Sequence, residues 1–255
     1  SPSSATASVS KPARGADCNA NPGFGVNWSG CNESGRDLRS ANLTMANLSG
    51  TNLTGADMTG AKLGNADMRD ANLTNVTLTD ANISMANISG ATTTGLISGF
   101  LTTTGFVPPD GYRIDNGYLV GPGVDLSGAQ LSESWQTYDD TVLYGANLTG
   151  TNLTNANLTK ISLAHTTLTG AQLSGANMTG VISGNITGTP NSLPANWRLD
   201  NGYLFGPYAN LGMMGENFEG DLQGVDLQGA NLTQDNFVNV NLAGSNLSDT
   251  NMMQA

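Results

Sequence analysis

The chain has 255 residues, of which only 11% are charged, and its nine Lys and Arg against 20 Asp and Glu give a formal net charge of −11 at pH 7. Such a chain lacks the positive footprint that nucleic acids and anionic membranes require, so we expect no nucleic-acid partner. No apolar run reaches the roughly 18 residues needed to cross a bilayer, which predicts no membrane insertion.

Residues 1–25 are predicted to form an N-terminal tail and an entry loop. The tail, SPSSATASVSKPARGAD, is a low-complexity segment, typical of a mature N-terminus after signal removal or of a linker. The two cysteines, Cys18 and Cys31, lie close in sequence, and we predict a disulfide, with free thiols as the alternative. A disulfide would stabilise the loop by about 3 kcal/mol. It would also place the protein in an oxidising compartment, in the extracellular space or at the cell surface.

An apolar residue recurs every five positions in three runs of the chain. The stretch ANLTGTNLTNANL at 146–158 shows the phrase, which is a small residue, Asn, Leu, Thr and a free position. Five residues advance about 500° around a helix, which would scatter the apolar positions, and in a strand they would alternate between faces. Only a chain that turns a corner every five residues keeps them inside. The runs extend from Leu38 to Ile88, from Leu143 to Met178 and from Leu222 to Met252.

This phrase resembles that of the pentapeptide repeat family, A(D/N)LXX, over most of residues 26–255. The resemblance implies an all-β fold, a right-handed quadrilateral β-helix in which four pentapeptides make one coil. If roughly eight coils stack at about 4.8 Å, the solenoid would be a rod roughly 40 Å long.

A second, longer repeat interrupts the runs. Residues 95–126 align without gaps on residues 180–211, with half of the positions identical. Each copy places Asn-Gly between alternating apolar residues, a strong signal for a hairpin with a type I′ turn. We therefore predict two inserted β-hairpins, with turns at Asn116-Gly117 and Asn201-Gly202, that project from the solenoid or fold against it. The predicted order is run 1 (26–95), hairpin insert 1 (96–125), run 2 (126–180), hairpin insert 2 (181–210) and run 3 (211–255).

The aromatic residues of the hairpins are predicted to be packing faces, with ligand binding as the alternative. They are Tyr112, Tyr118, Trp197, Tyr203 and Phe205.

The sequence contains few residue patterns that are typical of catalytic or metal-binding sites. The single histidine, His165, falls at an outward position without a second histidine, so we interpret it as a surface side chain. Glu133, Asp139 and Asp140 lie where the repeat register slips, and a solvated turn is favoured there over a cation site. No Ser/His/Asp set, phosphate loop or Cys/His cluster occurs. The sequence thus predicts a protein that is not an enzyme and has no cofactor or metal.

Two features of the repeat surface are relevant to binding. Some members of the pentapeptide repeat family are DNA-shaped acidic dimers that inhibit gyrase. In such a fold, residues 20 positions apart stack in one column on the same face. Here Asp57 is followed in its column by Thr77, and Asp221 is followed by Asn241. We therefore expect no ladders of acidic residues. A ladder of Asn and Thr resembles the surface of ice-binding solenoids, although redundancy of the repeat is the favoured explanation. Its members are Asn52, Thr54, Asn72, Thr74, Thr92 and Thr94.

The two ends of the predicted solenoid differ. A β-helix has an open edge at each end, which natural solenoids normally cover with a cap. At the start, the disulfide would tie down the entry loop, and Glu33 and Arg36 occupy inward positions where they are expected to pair. At the other end the sequence shows no cap, and the edge is predicted to mediate self-association. Its residues are Phe237, Leu242, Leu247, Met252 and Met253.

These features predict an exported, non-enzymatic structural rod that associates with itself through its ends. Head-to-tail stacking into a filament or surface fibre is favoured, because the two ends differ and the repeated inserts indicate an extendable design. The alternative is a closed dimer that acts as a binding module, including a DNA-mimicking inhibitor of gyrase. An ice-binding-like surface is a remote alternative.

Overall fold

The computed structural model describes residues 15–131, 143–212, 218–219 and 221–255. It divides the chain into two compact units, Ser1–Asp125 and Leu126–Ala255. Within the described residues there is no helix, and the strands are β1 (Arg113–Asp115), β2 (Tyr118–Val120), β3 (Arg198–Asp200) and β4 (Tyr203–Phe205).

Outside these strands, the five-residue pattern forms coils that stack in parallel. Asn27 pairs with Asn47 and Asn47 with Asp67 in the first unit, and Asn147 pairs with Thr167 in the second. Each partner lies four pentapeptides farther along the chain, so one coil contains four pentapeptides. The pairing consists of isolated bridges, because the chain turns before a longer strand can form.

Each pentapeptide ends in a residue with left-handed backbone conformation. The φ angle is positive at every fifth position of the first run, whether the residue is Gly50 (63°) or Asn65 (56°). Gly and Asn tolerate this conformation, which explains their frequency at the free position of the phrase. The Asn or Asp of the phrase supports the turn: Oδ1 of Asn72 accepts a hydrogen bond from the backbone N–H of Thr74 at 3.1 Å.

The predicted inward pair forms the core. Leu53 and Ala56 expose no more than 1% of their surface, as do Leu158 and Ala156 in the second unit. Where a hydroxyl replaces the small apolar residue, it is paired inside the wall: Thr51 Oγ1 donates to the Trp28 carbonyl at 2.7 Å.

Both predicted hairpins form. In the first, β1 and β2 are antiparallel with Ile114 opposite Leu119, and β3 and β4 repeat the arrangement in the second unit. The turn residues have positive φ, 47° and 76° at Asn116 and Gly117 and 47° and 83° at Asn201 and Gly202, as a type I′ turn requires.

Each hairpin folds against the wall of its own unit. The N–H of Leu119 donates to Ser98 Oγ at 2.9 Å, and the equivalent N–H of Leu204 donates to Ser183 Oγ at the same distance. The coil that carries the hairpin is longer than the others. Ile182 pairs with Asn210, whereas residues of the regular coils pair with a residue four pentapeptides later. The hairpins thus extend one coil without breaking the register of the wall.

The hairpin aromatics pack against the fold, as predicted. Tyr118 and Phe205 are buried. The Tyr112 hydroxyl bonds to the Thr93 hydroxyl at 2.7 Å and donates to the Pro122 carbonyl at 3.1 Å.

The serine that anchors each hairpin generates a stability prediction. Ser183→Ala should lower the free energy of unfolding by about 1–3 kcal/mol, because the buried N–H of Leu204 loses its acceptor. Urea unfolding monitored by circular dichroism measures the change. The exposed Ser174→Ala is the matched control and should change the free energy by less than about 0.5 kcal/mol. Equal effects of the two substitutions would contradict the anchoring role.

Candidate functional site

The N-terminal end of the solenoid is covered by the entry loop. Cys18 and Cys31 form the predicted disulfide, with their Cα atoms 5.4 Å apart. Asp17 N–H donates to the Asn27 carbonyl at 2.9 Å, which adds the loop to the edge of the first coil. Beneath it, Trp28 is fully buried, and its indole N–H donates to the Ala20 carbonyl at 3.3 Å. The loop therefore acts as a cap.

The predicted pair of Glu33 and Arg36 is part of this cap. Glu33 is buried with 4% exposure, and its Oε2 accepts a hydrogen bond from the Arg36 guanidinium. The guanidinium carbon also lies 4.5 Å from the centroid of the Trp28 ring. The ion pair compensates part of the burial of Glu33, whose Oε1 has no hydrogen-bond partner among the described residues, and the cation–π contact stabilises Arg36.

The C-terminal end has a different character. Phe237, Leu242 and Leu247 are only half-buried, whereas Met252 and Met253 are 38% and 68% exposed. In the preceding coils the equivalent apolar residues, such as Leu227 and Leu232, are fully buried. The five residues predicted for the self-association edge thus form a partly exposed apolar surface.

Some backbone groups of the last coil also have no backbone partner among the described residues. In the preceding coil, Leu222, Leu227 and Leu232 donate their N–H groups to the last coil at 3.0, 2.9 and 2.8 Å. Among the described residues, the corresponding N–H groups of Leu242 and Leu247 have no backbone acceptor. In the described residues this surface therefore combines partly exposed apolar side chains with strand N–H groups that have no backbone acceptor.

The expectation that acidic residues form no ladders is wrong in the first unit. Asp57 does lead to Thr77, but it also stacks on Asp37, so a short ladder of two acids exists where none was expected. The signal for this contact was in the sequence, because Asp37 lies 20 residues before Asp57. Arg39 offsets one of the two charges, with hydrogen bonds of 2.9 and 2.6 Å to Asp37 and a distance of 3.7 Å to Asp57.

The pKa values of both carboxyls, those of Asp37 and Asp57, are lowered. The hydrogen bonds from Arg39 lower the pKa of Asp37 to about 2. The Thr59 hydroxyl, which donates to Asp57 at 2.6 Å, is the main cause that lowers the pKa of Asp57. In the second unit, Asn241 donates to Asp221 at 2.9 Å, as the column predicted.

Among the described residues, the remaining candidates do not assemble into a reactive site. His165 is exposed, with its ring 5.0 Å from that of Tyr144. Glu133, Asp139 and Asp140 lie outside the described residues. In the part of the chain that the structure describes, no group of three His, Cys, Asp or Glu could hold a metal ion. Nor does that part contain a helix long and apolar enough to span a membrane.

Sequence reasoning missed a groove of about 790 Å³ beside the first hairpin. It lies between residues 85–91 of the wall and residues 105–112, where the chain leaves the solenoid. A signal was present, because the two long repeats differ at this point: the first reads FVPP at 106–109 and the second NSLP at 191–194.

The Asp37–Arg39 pair predicts a pH dependence. Arg39→Gln should raise the pKa of Asp37 from about 2 toward the ordinary value of about 3.9, which NMR titration of the Asp37 carboxyl would measure. Because the folded-state pKa is below the unfolded value, the pair stabilises the fold above about pH 4 and loses this contribution as the pH falls through about 2. Arg69→Gln is the control, since Arg69 pairs with Asp67. A value near 3.9 in the unsubstituted chain would show that the pair does not form in solution.

Comparisons with solved structures match several pentapeptide repeat proteins. HetL, a pentapeptide repeat protein involved in heterocyst differentiation regulation in the cyanobacterium Nostoc sp. strain PCC 7120, is 23% identical; the match covers 89% of this chain and 77% of HetL, with a TM-score of 0.29. A pentapeptide repeat protein of the Arabidopsis thaliana thylakoid lumen is 20% identical over 68% of this chain and 76% of its own, with a TM-score of 0.25. Full-length QnrB1, a plasmid-mediated fluoroquinolone resistance protein, is 16% identical over 91% of this chain and 79% of its own, with a TM-score of 0.18. No curated protein sequence matches the chain significantly.

The family model of pentapeptide repeats matches the chain in eight copies, at residues 25–55, 56–92, 141–182 and 221–255. These segments include more than half of the residues and coincide with the stacked coils. The chain belongs to the pentapeptide repeat family, and its described residues form parallel stacked coils of four pentapeptides.

Proposed function

We propose that this protein is an exported, non-enzymatic structural protein whose quadrilateral β-helix associates with itself end to end. The observation that carries the proposal is the C-terminal edge, where Leu242 and Leu247 are half-buried and their N–H groups have no backbone acceptor among the described residues. The protein's partner is therefore a second copy of itself.

Stacking of two such edges would satisfy both kinds of exposed group. The apolar side chains of Phe237, Leu242, Leu247 and Met252 would be removed from water, at about 25 cal/mol for each Å² of apolar surface. The edge also offers carbonyl groups at the positions that accept hydrogen bonds in the preceding coil, as the Ala230 carbonyl accepts from Asn251 N–H at 2.9 Å. An edge that presents donors and acceptors is able to pair with a copy of itself.

The N-terminal cap bears on the geometry of assembly. A filament built head to tail requires the C-terminal edge of one copy to dock on the N-terminal edge of the next. The entry loop lies against that edge at Asn27, whose carbonyl accepts from Asp17 N–H, and the Cys18–Cys31 disulfide and the Trp28 to Ala20 hydrogen bond hold the loop in place. Pairing of two C-terminal edges needs no such displacement. We therefore favour the closed dimer as the first assembly, and a filament or surface fibre would form only if the loop moved aside.

Export is supported by the same disulfide, because disulfides persist mainly in oxidising compartments. The surface fits a structural role, since the outward positions of the coils are mostly Asn, Thr and Ser whose side chains support the turns, as Asn152 does for Thr154 N–H at 3.0 Å. Such residues hold the wall together and carry little reactive chemistry.

The proposal predicts concentration-dependent association that a charge at the edge abolishes. Analytical ultracentrifugation of the full chain should show a dimer at micromolar concentration, and Leu247→Asp should convert it to a monomer, because a buried carboxylate without a partner strongly disfavours the interface. Met45→Asp, at a residue 58% exposed in the first unit, is the matched control and should leave the dimer intact.

Two outcomes would overturn the proposal. One is a monomer at all concentrations up to hundreds of micromolar, and the other is a dimer that resists Leu247→Asp but is lost with Met45→Asp. Electron microscopy separates the two forms of assembly, since a closed dimer has a fixed length whereas head-to-tail stacking gives particles that lengthen with concentration.

A further inference from the structure

The groove beside the first hairpin lies at an interruption of the coil stack. Its floor is the wall segment 85–91, and its other side is formed by Val107, Pro108, Pro109, Asp110 and Tyr112. Val107 is 79% exposed and Met85 is 59% exposed, so the groove is open and has apolar margins.

The floor of this groove is an unpaired strand edge. In the pentapeptide immediately before it, Ile83 N–H donates to Thr102 at 2.9 Å and Met85 N–H donates to Thr104 at 3.1 Å. The same pattern continued by one pentapeptide would engage the N–H groups of Ile88 and Gly90. Among the described residues neither has a backbone acceptor, and the Ala86 carbonyl receives no backbone donor. One side of a coil is therefore missing at this position.

The second unit shows the same position filled. The residues equivalent to Ala86 and Ile88, at the offset of 85 between the long repeats, are Ala171 and Leu173. Asn191 N–H donates to the Ala171 carbonyl at 2.7 Å, and Leu173 N–H donates to the Ser192 carbonyl at 3.1 Å. Ser192 Oγ also accepts from Ser174 N–H at 3.3 Å. The second unit thus supplies its own strand.

Local sequence explains why the first unit does not. Phe106 occupies the position of Asn191, but its N–H donates to the Thr103 carbonyl at 2.9 Å and its ring packs against the core. The following residues are Val107, Pro108 and Pro109, and the two prolines have no N–H and restrict the backbone. The chain therefore passes over the edge instead of pairing with it.

We propose that this groove binds an extended, uncharged peptide segment of a partner protein, which adds a parallel strand to the wall. A carbonyl of the peptide would accept from Ile88 N–H, and a peptide N–H would donate to the Ala86 carbonyl, as Ser192 and Asn191 do in the second unit. Gly90 N–H offers a further donor, and Val107 and Pro109 would contact the apolar side chains. Main-chain hydrogen bonds provide affinity in this mode of recognition, and side-chain pockets provide specificity.

The second unit also supplies the probe. A capped peptide with the sequence of residues 187–194, TGTPNSLP, should bind saturably to the full chain, as measured by fluorescence anisotropy. Amide hydrogen exchange of Ile88 should be faster than that of Leu173 in the free protein, and saturating peptide should slow it by at least about tenfold. The matched control is the same peptide N-methylated at its Asn, which cannot donate to Ala86 and should bind at least about tenfold more weakly.

The proposal is overturned if the peptide shows no saturable binding, or if the N-methylated peptide binds equally well. Protection of Ile88 equal to that of Leu173 in the free protein would also overturn it, because the edge would then already be paired.

A transplant of the filled sequence provides a second test. The triple substitution Phe106→Asn, Val107→Ser and Pro108→Leu introduces the second unit's residues into the first. It should protect the Ile88 amide without peptide and reduce peptide binding at least about tenfold, whereas Met45→Asp should change neither. Peptide binding that survives in a folded triple variant would place the peptide elsewhere. The measurements on the unsubstituted chain decide the proposal even if the variant fails to fold. They are also independent of the proposed self-association, which involves the other unit.

Discussion

The hydrogen bonds between successive coils are the constraint on which the rest of the structure depends. Backbone groups of one coil pair with those of the next, as Leu63 N–H does with the Asn82 carbonyl at 2.7 Å. The described residues form only short strands and no helix, so this register aligns the apolar positions into the buried core. A shift of one residue would turn the inward pair outward, which is why the pentapeptide runs proceed without insertions.

The hairpin inserts are compatible with this constraint because they return the chain to register. Each lengthens one coil, from Ile97 to its partner Asp125 or from Ile182 to its partner Asn210, and a serine of the wall holds each hairpin. Next to each insert, the pentapeptide wall lacks one side of a coil. In the second unit, Asn191 and Ser192 fill this gap by pairing with the backbone of Ala171 and Leu173. In the first, the gap remains as the groove over the edge at Ile88.

The ends of the coil stack follow the same logic. Each coil leaves donors and acceptors for the next, and the first and last described coils differ in how these groups are met. The N-terminal coil is covered by a loop that a disulfide, a buried ion pair and an indole hydrogen bond secure. The coil around Leu242 and Leu247 offers its edge, and the self-association that we propose is a response to that surface. The peptide groove and the self-association edge thus both arise from interruptions of the coil-to-coil hydrogen bonding.

Much of this arrangement follows from the sequence alone. The five-residue period predicted the inward pair and the turns, because both depend on residues within one pentapeptide. Asn116-Gly117 and Asn201-Gly202 predicted the hairpins for the same reason, since a type I′ turn is set by its two central residues. The spacing of Cys18 and Cys31 indicated the disulfide. These features are local, and a single chain segment contains the information that forms them.

Only the tertiary structure decided the features that join distant segments. It stacked Asp37 on Asp57 with Arg39 between them, and it assigned serines of the wall as acceptors for the hairpins. It also determined that the edge at Ile88 stays open whereas the edge at Leu173 is paired. The phrase of the repeat is nearly the same at both places. The difference depends on whether a loop in the next coil returns to the wall, and that is a contact between segments which the periodicity of one segment does not encode.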